Sequence, residues 1–382
     1  MIDESIIFIK DLYPINDNFI PLHEANLSFK EKSYLTEALE SNNLSTRGYF
    51  IERLEQSVQQ YTKSNYVIGV NSGTSALHLA LLACGVTSSE YVLLPSLTFV
   101  ATSNAIAYTG ANQIFLDIEK QSYGLDPDEL IKFLETNCQK TIDHTVKKGT
   151  KNRIGACVPV HTLGIPCQIE RIKEICAYYK IPIVEDAAES LGSHVNGKHT
   201  GTYGEFAAIS LNGNKIITSG AGGLILCKSK NDQELIRHLS LTSKIPHPWE
   251  YEHDRIGFNY KMPNLNAAVG LAQFERLDEF LRIKRKIAET YHLFFSKFNE
   301  IMMIEGNNWN NWLNALVLKD KNERNRFLNA LHQEKIDARP LWKLMSKLNI
   351  HGGETFGDLP NSTWLQESVV TLPSGINGCR IK

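Results

Sequence analysis

Along the first part of the chain, short apolar runs alternate with longer stretches whose apolar residues recur every three or four positions. The first pattern is that of a buried strand, the second that of an amphipathic helix. The predicted strands are "YVIGV" (66–70), "YVLLP" (91–95), "NQIFLDI" (112–118), "IGACVPV" (154–160), "IPIVED" (181–186), "FAAISL" (206–211) and "GGLILC" (222–227). Helices are predicted between them. "TSALHLALLACG" ends at Gly85 and "FVATSNAIAYTG" at Gly110, where glycine suits a C-terminal stop. "DPDELIKFLETN" has Asp126 as N-cap and Pro127 at the first helical position, and a further helix lies near 168–180. Ahead of these, "SFKE", Ser28 to Glu31, has capping-box spacing, and Phe50, Leu54, Val58 and Tyr61 share one helix face.

Wholly apolar strands alternating with helices predict a mostly parallel sheet covered on both faces. From about residue 264 the texture changes to long helices, "NLNAAVGLAQFERLDEFLRIKRKIAETYHLFF", and a stretch near 310–375 mixes strand-like and helical pieces. The expected fold class is α/β. A large, mostly parallel sheet domain with N-terminal helices would occupy 1–250, followed by long connecting helices and a smaller C-terminal α/β domain over 251–382.

Composition narrows the function classes. At 42% hydrophobic and 21% charged residues this is ordinary soluble globular protein, and a formal net charge of -2 gives no default attraction to nucleic acid or an anionic membrane. No apolar run is long enough to span a bilayer, and "MIDESIIFIKDLYP" carries acids where a secretory leader carries base. Seven cysteines without a CxxC pair point to a reduced, cytoplasmic protein with no disulfide framework and no metal site.

Ligands of parallel sheets bind at the carboxyl ends of the strands, so the residues just after each strand carry the candidate chemistry. Asn71-Ser72-Gly73-Thr74-Ser75 after the first strand leads into a helix whose free N–H groups suit a phosphate, or is simply an N-capped turn. Phe99 offers a flat stacking surface, or core packing. Glu185, Asp186 and Glu189 end or follow a buried strand, where an acid can face a buried cationic nitrogen or cap a helix. Ser210 and Lys215 flank "LNGN", between a strand and the apolar "IIT". Lys215 either snorkels to water or supplies an amine, since burying an unpaired ammonium is costly. A phosphate cradle, an aromatic face, an acid and an amine along one sheet edge together fit pyridoxal 5'-phosphate, which needs a lysine for its Schiff base, an acid at its pyridinium nitrogen and an anchor for its phosphate.

With these residues in hand, the chain resembles the DegT/StrS family of sugar aminotransferases, of the aspartate-aminotransferase fold, fold type I. The resemblance runs from "FIPLHEANLS" to "LPSG" through "NSGTSALHLAL", "LPSLTFVATSNAI", "PVHTLG", "VEDAAESLGS", "SLNGNKIIT" and "GFNYKMPNLNAAVG". "GKHTGTYGEF", "HDRIGFNYKMPN" and "ARPLW" resemble the legionaminic-acid and bacillosamine-type 4-aminotransferases. The resemblance implies roles residue by residue. Lys215 forms the Schiff base and moves protons, Asp186 pairs with the pyridinium nitrogen, and Glu189 lies near the ring hydroxyl. Phe99 stacks on the ring, and Gly73, Thr74 and Ser210 hold the phosphate. Asn259 reaches the phosphate of a neighbouring subunit, so a homodimer with shared active sites is expected. His161 supports the site from beneath. Arg339 and the "NNWNNW" stretch (307–312) are candidates for substrate contacts, and Lys244, Arg255 and Arg339 for cations facing the substrates' anionic groups. The implied reaction takes an amino group from L-glutamate, leaving 2-oxoglutarate, to a nucleotide-linked 4-keto-6-deoxy sugar, with a 2-acetamido UDP or GDP sugar expected and a perosamine- or viosamine-type sugar as the alternative. Two rival readings are a sugar dehydratase, whose relatives carry histidine where Lys215 stands, and a pyridoxal-phosphate-binding regulatory protein without catalysis.

Overall fold

The computed structural model describes residues 1–14, 19–299, 302–304, 306, 308–350 and 352–381. Its main sheet contains β1 (Tyr66–Val70), β2 (Tyr91–Pro95), β3 (Asn112–Leu116), β4 (Ile154–Cys157), β5 (Val184–Asp186), β6 (Phe206–Ser210) and β7 (Gly223–Cys227). Across the layer the order is β3, β2, β4, β5, β6, β7, β1, with parallel bridges from Cys157 to Ile183 and from Val160 to Asp186 joining β4 to β5. Every pairing in this layer is parallel except those of β7, which runs antiparallel to both β6 and β1. β4 and β5 are shorter than their apolar runs. Pro159 and Pro182 interrupt the ladder there because proline has no N–H to donate.

The predicted helix signals act as expected. Ser28 Oγ accepts the Lys30 N–H at 3.2 Å while Glu31 Oε2 accepts the Ser28 N–H at 2.7 Å, and Asp126 Oδ1 accepts the Asp128 N–H at 2.8 Å. Gly110 caps Val100–Thr109 at φ +78°, a backbone conformation in which a Cβ is strained.

Three features add to the predicted strands and helices. A helix opens the chain at Ile2–Leu12, and its buried Ile9 and Leu12 share a core with Ile287, Tyr291, Phe295 and Leu331, far along the chain. A second, antiparallel sheet has the order Met302–Met303, Asn314–Val317, Val369–Leu372, Arg339–Pro340. It is tied to the first layer through the edge strand Glu354–Thr355, which pairs with Ile114 and Phe115 of β3. Beside it, the Asp117 carboxylate accepts the N–H groups of Asn361 and Ser362 at 2.9 and 2.7 Å, capping the Pro360–Ser368 helix from the other layer. Among the described residues no helix is long and apolar enough to cross a membrane.

Candidate active site

The carboxyl ends of β1, β2, β5 and β6 open onto one cavity of about 310 Å³. Gly73, Thr74, Phe99, Asp186, Glu189, Ser210 and Lys215 all line it. Residues spread over more than a hundred positions meet there because parallel strands bring their C-terminal ends to one edge.

At the β1 end, Ser72 caps the Gly73–Ala83 helix. Its Oγ accepts the Ser75 N–H at 3.0 Å, and the Ser75 hydroxyl donates to Asn71 Oδ1 at 2.6 Å. The N–H groups of Gly73 and Thr74, in the first turn, have no intrahelical acceptor and suit an anion. A Cβ on Gly73 would stand 3.0 Å from the Ser210 Cβ. Glycine thus lets the helix start close against the β6 end and keeps the cradle open.

Glu185 and Asp186 are consecutive strand residues, so their side chains take opposite faces. Glu185 points away from the cavity. Its carboxylate accepts the N–H groups of Gly201 (2.7 Å), Tyr203 (2.6 Å) and Gly204 (2.6 Å) and lies 3.1 Å from His161 Nε2. Burial alone raises its pKa, but the His161 contact and the backbone donors outweigh that and hold it below the usual carboxylate range. His161 is fully buried behind the cavity wall. Its Nδ1 accepts the Cys167 N–H at 3.1 Å, leaving Nε2–H to donate to Glu185, and its own backbone N–H donates to the Asp186 carbonyl at 3.1 Å.

Asp186 faces the cavity. Thr102 Oγ1 donates to its Oδ2 at 2.6 Å, Thr98 Oγ1 lies 2.7 Å from Thr102 Oγ1, and the Ala188 N–H reaches Asp186 Oδ1 at 3.2 Å. Burial pushes the Asp186 carboxyl above its ordinary value despite these donors and the pull of Lys215 and His161, and among the described residues no cation pairs with it. Glu189 is likewise pushed up by burial, with Lys215 pulling the other way. Its Oε2 accepts the Leu163 N–H at 2.9 Å, and Leu163 holds φ +57°, a strained conformation for leucine at a functional edge.

Lys215 follows the β6 end in a turn closed by its N–H to the Asn212 carbonyl at 3.0 Å. Its side chain is 12% exposed, and Nζ sits 3.0 Å from Glu189 Oε1 and 4.2 Å from the centre of the Trp312 ring. The apolar residues after it are no strand: Ile216 and Ile217 plug the core, and the Ser219 N–H bonds back to the Leu211 carbonyl at 2.9 Å. Their burial fixes the turn that presents the amine. Phe99 is 49% exposed although it lines a cavity, which leaves a ring face open, and Trp342 meets it edge-on at 6.2 Å.

Other predicted positions lie elsewhere. Asn259 is exposed outside the lining, with its carbonyl accepting Asn71 Nδ2 at 3.3 Å. Arg339 pairs with Asp337 at 2.7 Å, Arg255 with Asp254 at 3.4 Å, and Lys244 stands 4.0 Å over the Tyr251 ring; none of the three lines the cavity. Among the described lining residues Lys215 is the only cation. Of "NNWNNW", Asn307 lies outside the described residues, while Trp312 joins the site beneath the lysine. Trp342 and Thr102 were missed. Neither carries a local signal: one follows the Arg339–Pro340 strand of the second sheet, and the other looks like any hydroxyl in an apolar helix.

A phosphate-sized cradle, a buried carboxyl short of a cation, an open aromatic face and an amine fit pyridoxal phosphate. The mixed α/β fold is that of the fold type I pyridoxal-phosphate enzymes. Residues 26–377 match the DegT/DnrJ/EryC1/StrS aminotransferase family, and the chain belongs to it. It is a pyridoxal-phosphate-dependent aminotransferase. GDP-perosamine synthase of Escherichia coli O157:H7 is 33% identical over 328 residues, covering 85% of each chain. The solved aminotransferase TlmJ of Streptoalloteichus hindustanus superposes with a TM-score of 0.84 at 25% identity, over 93% of both chains. Spr1654 of Streptococcus pneumoniae, solved in its PLP-form, has the same fold, with a TM-score of 0.82 at 22% identity over 93% of both chains.

Proposed function

We propose that this chain transfers the amino group of L-glutamate to the keto carbon of a nucleotide-linked 4-keto-6-deoxy sugar, giving a 4-amino-4,6-dideoxy sugar. The observation that carries the reading is the pairing of Lys215 with Glu189 at 3.0 Å in a cavity that also holds Asp186 and the Gly73 cradle. When bound, the cofactor supplies an aldehyde for amines and a ring that accepts electrons from the carbon losing its proton. The chain's own residues do the rest. Lys215 would hold the aldehyde through its amine and, when free, would move the proton that leaves the substrate carbon. Glu189 keeps the amine at that edge. Asp186, costly as a buried anion by itself, would gain a cationic partner in the ring nitrogen. Gly73, Thr74 and Ser210 would hold the phosphate, and Phe99 would cover the ring.

The name of the 33%-identical perosamine synthases supports a GDP-linked sugar without a 2-acetamido group. The segments "GKHTGTYGEF" and "ARPLW" support a 2-acetamido sugar of the legionaminic or bacillosamine type as the second reading. Substrate carboxylate and diphosphate both need cations, and the described lining offers only Lys215. That supports a homodimer in which Asn259 and the cations near 244–255 act on the partner's cavity.

The test is a half-reaction. Protein loaded with pyridoxamine phosphate is mixed with UDP-, GDP- and dTDP-linked 4-keto-6-deoxy sugars, with and without the acetamido group, and the cofactor's visible band is followed. Return of the band with one sugar class identifies the acceptor. No return with any of them, the cofactor remaining bound, sinks the sugar reading in favour of a binding protein.

A further inference from the structure

One short segment, Asn310–Trp312, which follows the long helices along the chain, reaches both groups assigned to the chemistry. Asn310 is 1% exposed; its Nδ2 donates to the carbonyls of Glu189 at 2.7 Å and Leu191 at 3.0 Å, and its Oδ1 accepts the Trp312 N–H at 3.0 Å. Trp312 donates from Nε1 to the carbonyl of Asn214, the residue before the lysine, at 2.8 Å. Its ring carries Lys215 Nζ at 4.2 Å. Lys284 fastens the segment from behind: fully buried, it donates to the carbonyls of Trp312 at 2.8 Å and Ser374 at 2.5 Å, and no carboxylate pairs with it among the described residues. An ammonium held only by carbonyls is expensive to bury, and burial pushes the Lys284 pKa well below the lysine range. Such a group is an anchor for the backbone it holds, and that backbone is Trp312's.

A lysine side chain has four flexible carbons, so a single bond to Glu189 leaves the amine free to swing toward the cavity mouth. An indole face within 6 Å attracts an ammonium, and does so more strongly than a phenyl ring. We infer that Trp312 is a positioning residue for Lys215: its ring and its bond to the Asn214 carbonyl hold the ammonium at the Glu189 edge, where the Glu189 carboxylate can take the proton the amine must lose before it meets the cofactor aldehyde. This assigns Trp312 to the lysine rather than to the substrate, and it rests on the reading of Lys215 as the Schiff-base residue.

The experiment strips the holoenzyme of cofactor and follows recapture of pyridoxal phosphate, in which the amine condenses with the aldehyde and one water leaves. The visible band gives the rate, and borohydride reduction with mass analysis identifies the lysine modified. Trp312→Leu is expected to capture about tenfold more slowly than wild type, with Trp312→Phe between them. The pH at which the bound cofactor's band changes wavelength should move in the same order. Melting curves of the stripped proteins show whether each variant is folded; a merely structural role lowers both melting temperatures without ordering rate or band. If Trp312→Leu does not fold, Trp312→Phe alone carries the test. Folded variants that capture at the wild-type rate with an unmoved band overturn the inference. If wild type gives no adduct and matches Lys215→Ala, the Lys215 reading has failed, and the inference with it.

Discussion

Lys215 and Asp186 are the residues on which the proposed chemistry turns, and each makes its own prediction. Lys215→Ala is expected to lose turnover and the cofactor's visible band together, since no other lysine lines the cavity among the described residues; a variant near the wild-type rate removes the assignment. Asp186 is buried with its carboxyl pushed up, so in the cofactor-free protein its negative charge is a cost. The native state binds the proton more tightly than the unfolded chain, whose carboxyl sits near 3.8. Stability from this group is therefore present at low pH and lost as pH rises through the raised value. Asp186→Asn should leave the stripped protein at least as stable at pH 7, by melting temperature, yet weaken cofactor binding about 100-fold because the ring nitrogen loses its counter-charge. The type of these two residues at a strand end was legible in the sequence. Which of Glu185 and Asp186 faces the cavity was not derivable from composition; the pleat decides it, and the four donors around Glu185 show where the other acid went.

At the scale of elements, capping signals were readable because they act within a few residues: Ser28 with Glu31, Asp126 with Asp128, Gly110 at a helix end. Strand lengths were less so, since the apolar runs continue past Pro159 and Pro182 where the hydrogen-bond ladder does not. The Gly73 cradle depends on two elements at once, the helix start and the β6 end. Gly73→Ala is expected to reduce cofactor affinity about tenfold with little loss of folding stability, because the added methyl meets Ser210 at 3.0 Å; titration of the stripped variant with pyridoxal phosphate reads it directly. The segment that follows the β5 end carries a pH dependence of its own. His199 accepts the Gly192 N–H on Nε2 at 2.8 Å and is buried, which pushes its pKa down to about 4. Its folded value lies below the unfolded 6.5, so the stability it permits is complete above pH 6.5 and falls, by up to about 3 kcal/mol, toward pH 4. His199→Gln should flatten that acid limb of melting temperature against pH; an unchanged slope would assign it to other groups.

Across the whole molecule, the two sheets are joined where no local pattern announces it. Asp117, after β3, caps the Pro360–Ser368 helix, and Glu354–Thr355 extends the first layer's edge. Asp117→Ala is expected to cost about 2 kcal/mol in denaturant unfolding while leaving the cavity's residues in place, since a buried cap shared by two backbone donors is lost. A homodimer with shared sites predicts that concentration-dependent dissociation, followed by light scattering, lowers activity in step; full activity of a monomer would refute it. The sequence by itself determined the strand–helix alternation, the sheet class, the edge at which chemistry collects and the types of residue there, because periodicity, caps and strand ends are short-range consequences of chain geometry. Only the tertiary structure decided that Trp312 lies under the lysine, that Thr102 backs the acid, that Arg339, Lys244 and Arg255 stand outside the cavity, and that the first helix packs with the last third of the chain. Those contacts join residues tens to hundreds of positions apart, and buried surface and hydrogen-bond satisfaction, which no window along the chain contains, select them.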